Sequence, residues 1–170
     1  MRPIRDIAIW NRSLPRAQAL VAALAQFGMT ATIVGDLERA AGQADIISTA
    51  TLSFEPLIRG AWLKAGTHLD CVGAFKASMR ETDDDVVRHA RIFVDTRAGA
   101  FGEAGDILQP LQAGVIGREA VLGDLFDLTR GTVAGRESAS EITLFKSVGA
   151  SIEDLAAAVA VYGHDGLSPA

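Results

Sequence analysis

The sequence is poor in the residue types that usually announce chemistry. It holds one cysteine, three histidines, one tyrosine and two tryptophans in 170 residues. The lone Cys71 excludes an internal disulfide and fits a reducing, cytoplasmic compartment. His68, His89 and His164 show no metal-ligand spacing, so each reads as structural or surface and no metal site is expected. No apolar run reaches the ~20 residues of a membrane span, and the Ala-rich stretch from Leu155 to Val161 is far too short. The opening MRPIRDIAIW carries charge where a secretory signal would be apolar. An excess of basic charge is missing too. Sixteen Lys and Arg face 21 Asp and Glu, a net charge of −5, which argues against nucleic acid as a partner because phosphate binding needs a basic face.

What is present suits a globular domain. Apolar residues make up 49% and charged residues 22%, a composition that excludes intrinsic disorder. A chain of 170 residues suits one domain, and at that size roughly 70% of the unfolded surface is buried without a disulfide or metal staple.

Strands and helices alternate from the start. Ile7–Trp10 is an apolar run of the kind covered on both faces, and Asn11-Arg12-Ser13 breaks it. Ser13 is placed to cap a helix with Pro15 in its first turn; Ala17, Leu20, Val21, Leu24 and Phe27 recur at helical spacing and Gly28 stops it. A second strand over 30–34, a short helix capped by Asp36 and ending near Gly42, and a third strand over 45–50 follow. Connections of a few residues between alternating strands and helices are the mark of a parallel sheet. Further along, the pattern predicts a strand over 69–72 ending at Gly73, and a helix opened by a Thr82/Asp85 capping box and running to His89. It then predicts a strand over 91–95, a glycine- and acid-rich loop over 99–108, and helical stretches near 106–112 and 121–130. A last strand over 142–145 precedes an Ala-rich helix over 152–162.

In such sheets ligands bind beyond the carboxyl ends of strands. At the first end, Asn11, Arg12 and Ser13 either read an adenosine ribose or form a solvated turn with a helix cap; in the first case, Asn with Arg favours a 2′-phosphate and hence NADP(H) over NAD(H). Thr49-Ala50-Thr51 offers small residues and hydroxyls to a ligand, or is an ordinary strand end. At Val72-Gly73-Ala74, Gly73 either lets a nicotinamide ribose approach the backbone or serves a turn. Lys146 and Ser147 read equally as a ligand contact and a helix start. Gly99, Gly102 and Gly105 are not a phosphate loop: their spacing is GxxGxxG, and Glu103 and Asp106 would repel a pyrophosphate. Asp83, Asp84 and Asp85 complement a helix dipole rather than bind metal, and Cys71 in its apolar strand reads as a small buried hydrophobe.

A dinucleotide fingerprint lies about twenty residues before the ribose-reading position. If Asn11 and Arg12 read the ribose, it belongs ahead of Met1, and no GxGxxG stretch occurs downstream. The expected fold is therefore α/β, a Rossmann-like doubly wound parallel sheet lacking its first β-strand, phosphate loop and first helix.

Three runs carry a resemblance: ADIISTAT, LDCVGAFKASMRETDDDVVRHARIFVDTRAGAFGEAGD and SEITLFKSVGASIEDLAAAVAVY. From about Ile4 to Tyr162 the chain resembles the ornithine cyclodeaminase/mu-crystallin family. The family implies a length about twice this one, with an N-terminal dimerisation and substrate-binding domain before a Rossmann domain whose phosphate loop is of GxGxQA type. It implies a truncated NAD(P)-binding domain over 1–145 and, over 146–170, a C-terminal helix and tail packing back toward that N-terminal domain. It implies ribose or phosphate contacts at Asn11, Arg12 and Ser13, cofactor contacts at Thr49, Ala50, Val72, Gly73 and Ala74, and a contact near the nicotinamide at Ser147. Where cyclodeaminases and the related alanine dehydrogenases carry a catalytic aspartate, this chain has Phe75, followed by Lys76 as in mu-crystallin-like members. Phe75 cannot transfer protons, so no catalytic residue is assigned, and the resemblance leans to the ketimine or Δ1-pyrroline-2-carboxylate reductase branch. The expected function is NAD(P)H-dependent reduction of a cyclic imino acid by a chain inactive alone. The alternatives are a non-catalytic fragment or association module and, disfavoured by Phe75, a cyclodeaminase or alanine dehydrogenase. A homo-oligomer, or association through an exposed sheet edge, is expected.

Overall fold

Alternating strand and helix is what the structure, a computed structural model, contains; it describes residues 3–164. The chain divides into two compact units, residues 1–44 and 45–170. Strand–helix alternation looks the same whether the strands share one sheet or two, which is why the pattern alone predicts a single domain.

In the first unit, β1 (Ile7–Ile9) and β2 (Ala31–Ile33) pair in parallel, Ile7 against Ala31 and Ile9 against Ile33. They are joined by α1 (Leu14–Gln26), and α2 (Leu37–Gln43) follows. Pro15 sits in the first turn of α1 as expected, but the Ser13 side chain makes no capping bond. Instead Asn11 Oδ1 accepts from the Ser13 N–H at 2.8 Å. Of the expected apolar stripe on α1, Ala17 is buried while Leu20 and Phe27 stay exposed. Asp36 caps α2 by accepting from the Arg39 N–H at 3.0 Å.

The second unit holds β3 (Ile46–Thr49), β4 (His68–Cys71), α3 (Asp84–His89), β5 (Arg91–Val94), α4 (Arg97–Gly102), α5 (Gly105–Gln112), β6 (Val121–Asp124), α6 (Leu125–Arg130), β7 (Thr143–Lys146) and α7 (Ser151–His164). Its five strands are all parallel, in the order β3-β4-β7-β5-β6. The last strand in sequence is therefore the central one. Leu69, Ile92, Val94, Ile107 and Leu144 are fully buried and form the core with Val86 and Val87 of α3. Register aligns Thr49, Cys71, Lys146, Val94 and Asp124 in one row across the carboxyl ends.

Three local expectations are corrected. Residues 97–102, which overlap the start of the glycine-rich loop expected over 99–108, are helical, because Thr96 caps them by accepting from the Gly99 N–H at 3.1 Å. Residues 121–124, expected to be helical, form β6, and Asp124 then opens α6 with a capping box to Asp127. Asp83, not Thr82, caps α3. Both the N–H and the hydroxyl of Thr82 go to Asp106 Oδ1, 24 residues away, at 2.8 and 2.9 Å, a partner that no local window reveals.

Candidate functional site

Beyond the carboxyl ends of β3, β4 and β7 lies a cleft of about 370 Å³. Ala50, Thr51, Val72, Gly73, Ser147 and Gly149 line it, with Phe75 and Glu153 also facing it. A hollow of about 440 Å³ sits at the opposite end of the sheet, by Arg91 at the start of β5. Strand direction decides between them, because parallel sheets receive ligands at the carboxyl ends.

Of the residues expected to touch a cofactor, the cleft brings together Ala50, Val72, Gly73 and Ser147. Thr49 and Ala74 lie just beneath, 7% and 0% exposed. The Thr49 hydroxyl donates to Glu81 Oε2 at 2.8 Å, and the Ala74 N–H donates to Thr51 O at 3.3 Å. Ala74 has φ of 50°, the one positive value at a non-glycine residue among the described residues. A left-handed alanine costs about 1–2 kcal/mol, and such strain tends to persist where surrounding structure over-determines it. Asn11, Arg12 and Ser13 belong to the first unit, where Asn11 and Arg12 are exposed and Ser13 is half-buried.

Gly73 explains the closeness of this turn. A Cβ built there would stand 2.5 Å from Glu81 Cδ and nearer still to Glu81 Oε1 and Thr51 O. The backbone passes directly over a buried carboxylate, so only glycine fits.

Ionisable side chains are buried behind the turns that line the cleft. Glu81, Asp95, Asp106 and Lys146 are all essentially buried, and each is held by several hydrogen bonds, as buried charge requires. Glu81 accepts from Thr49 and, through Oε1, from the Thr51 N–H at 2.7 Å. Lys146 Nζ donates to Cys71 O at 3.1 Å, to Ser147 O at 2.9 Å and to Gly73 O. Three donors meet three carbonyls, tying the turn after β4 to the turn after β7. Glu81, Asp95 and Asp106 are not among the candidate site residues that the sequence pattern singles out. A signal exists for Asp95, a carboxylate directly after the apolar run Ile92-Phe93-Val94. Glu81 lies among other polar residues and carries none, and Asp106 stands between Gly105 and Ile107 in the stretch expected to be a loop.

Burial pushes the Cys71 thiol up, with Asp106 and Glu81 adding to the effect, so Cys71 is an inert core group. His68 Nδ1 meets Thr143 Oγ1 at 2.7 Å and His89 Nδ1 meets Asp85 O at 2.8 Å, both structural contacts; the His164 side chain lies outside the described residues. No group of three or more potential metal ligands occurs among the described residues.

Asp106 carries a pH signature. Its Oδ1 accepts from the Glu81 and Thr82 N–H groups and the Thr82 hydroxyl, whereas its buried Oδ2 has no partner. Burial raises its pKa, partly offset by those bonds and by Lys146. A carboxyl raised on folding keeps its proton where the unfolded chain has lost it. Stability from this group therefore falls as pH climbs from the ordinary carboxylate range to the raised value. Asp106→Asn preserves Oδ1 and removes the titration. Urea unfolding from pH 4 to 7 is expected to show a smaller loss with rising pH in the variant than in the parent; parallel profiles would refute it.

A family model described as "Ornithine cyclodeaminase/mu-crystallin family" matches residues 1–165. The chain belongs to this family. A Delta(1)-pyrroline-2-carboxylate reductase of Paracoccus denitrificans is 44% identical over 152 residues, 89% of this chain and 48% of that protein. The ketimine reductase mu-crystallin of Mus musculus is 32% identical, covering 93% of this chain and 47% of its own length. Among solved structures, the Delta(1)-pyrroline-2-carboxylate reductase of Thermococcus litoralis in complex with NADH and L-proline superposes with a TM-score of 0.89 at 33% identity, over 93% of this chain and 49% of that one. The chain thus spans about half the length of the family members it matches. The family's Rossmann-like α/β fold is the fold of this chain, and among its described residues no helix is long and apolar enough to cross a membrane.

Proposed function

We propose that this chain forms the cofactor-contacting part of an NAD(P)H-dependent reductase of cyclic imino acids, of the ketimine or Δ1-pyrroline-2-carboxylate type. The observation that carries this reading is Phe75 in the cleft wall, at the position where the resemblance puts a catalytic aspartate in cyclodeaminases. Hydride delivery to a C=N carbon can proceed with positioning as the enzyme's main contribution, and a phenyl ring there is compatible with that. The residues suit a nicotinamide dinucleotide: Gly73 allows close approach, Ala50 and Val72 offer small or apolar contact, and Ser147 offers a hydroxyl. When bound, the cofactor supplies the hydride; the chain supplies the surface that holds its ring.

The Asn11-Arg12-Ser13 strand end supports a 2′-phosphate contact and hence NADP(H). NADPH is expected to bind the purified chain about tenfold more tightly than NADH, the size of one charge-assisted bond. Arg12→Ala should erase the difference. Equal affinities in an NMR titration would overturn the ribose assignment. Turnover of a cyclic ketimine by the chain alone is expected to be slight, because no glycine-rich phosphate loop occurs in it.

A second reading, an association module, is favoured by one feature. Every described side-chain position from Ser151 to Gly163 on α7 is exposed, including Ile152, Leu155, Val159 and Tyr162. Apolar surface of this extent supports packing of residues 146–170 against a further part of the assembled reductase or a second copy.

A further inference from the structure

Asp95 is 1% exposed and lies at the end of β5 beside central β7. Its Oδ1 accepts from the Thr96 N–H at 2.6 Å. Its Oδ2 accepts from the Val148 N–H at 2.7 Å, the Gly149 N–H at 2.8 Å and the Ser147 hydroxyl at 3.0 Å. The turn after β7 is thus wrapped around one carboxylate oxygen from the neighbouring strand. Gly149 takes the φ of 87° that the wrap demands.

The consequence falls on Ser147. A serine hydroxyl has one proton and two lone pairs. The proton is committed to Asp95, and the Gly149 N–H approaches the same oxygen at 3.2 Å. What Ser147 has left for the cleft is an acceptor lone pair. We infer that Asp95 is a positioning residue that makes Ser147 a hydrogen-bond acceptor for the carboxamide N–H₂ of the nicotinamide. The inference rests on the reading that the cleft takes this cofactor. It assigns a polarity to Ser147: an acceptor there would favour the carboxamide rotamer that turns its N–H₂ toward this residue.

The test uses the full chain and two ligands, NADP⁺ and its 3-acetylpyridine analogue, which keeps the carbonyl oxygen but replaces the N–H₂ donor by methyl. The parent is expected to bind NADP⁺ about five- to tenfold more tightly than the analogue, the worth of one hydrogen bond. Ser147→Ala and Asp95→Ala should bring that ratio to about one. Asp95→Asn, whose amide oxygen can occupy the Oδ2 position, should keep most of it. A role in folding alone would weaken both ligands equally and leave the ratio unchanged. Equal binding of the two ligands by the parent overturns the inference and leaves the cofactor reading standing. Binding of neither at millimolar concentration overturns that reading and the inference with it. Should Asp95→Ala fail to fold, hydrogen exchange in the parent still decides the anchoring role: the Val148 and Gly149 amides should be protected, and exchange at unfolded-chain rates would refute it.

Discussion

Replacing Lys146 by methionine is expected to cost about 3–5 kcal/mol of stability, the range for breaking a buried charged arrangement. In a chain of this length that is a drop in melting temperature on the order of 10 °C. Methionine keeps much of the length and apolar stem of lysine, so the loss is not one of packing. It has two causes. The carbonyls of Gly73 and Ser147 lose their donor, while Cys71 O keeps a bond from the Ser147 N–H at 3.0 Å; each orphaned buried group costs about 1–3 kcal/mol. Lys146 is also the one cation among the described buried residues, and its charge acts on the Asp106 carboxyl. Removing it leaves that carboxyl without this compensation. For that reason Asp106→Asn is expected to cost less in the Lys146→Met background than its separate effect predicts, a coupling that a double-mutant cycle in urea measures. Additive losses would show that Lys146 acts through the carbonyls alone.

Gly73→Ala is the second large expectation, a loss of about 3 kcal/mol, at the upper end for overpacking. The added methyl has nowhere to go. One side is the Thr51 carbonyl, and the other is the Glu81 carboxylate, fixed by Thr49 and Thr51. Either the Val72–Ala74 turn lifts toward the cleft or Glu81 abandons its donors, so cofactor binding should fall with stability. Gly102→Ala supplies the contrast. A Cβ at Gly102 meets nothing within 4 Å and φ is not positive there, so that variant should match the parent or gain slightly in stability. Equal effects of the two changes would remove the steric argument for Gly73.

Much of the second unit was legible in residues 45–49, 69–71 and 91–94, whose apolar runs end at polar or glycine residues. The strands form there, and the cleft opens at the ends of β3, β4 and β7, where the small and hydroxyl residues after each run mark a place for a ligand. The misreadings share a physical origin. Thr82 looks like a cap until Asp106 takes its hydroxyl. Residues 121–124 look helical until they pair beside β5 in the sheet. Leu20 and Phe27 look like core at helical spacing yet remain exposed. In each case a non-local partner, or the lack of one, outweighed a local preference.

By itself the sequence determined the alternation of strand and helix, the breaks where chain could meet ligand, and the family motifs around Gly73 and Ser147. Only tertiary structure decided which strand ends stand side by side. That depends on β7, the last strand in sequence, entering between β4 and β5. The insertion sets Lys146 level with Cys71 and Val94, which buries its ammonium against the carbonyls of both turns and brings Ser147 onto Asp95, 52 residues earlier. Interstrand hydrogen bonds set such a register across long sequence separations, and no periodicity within either segment encodes it.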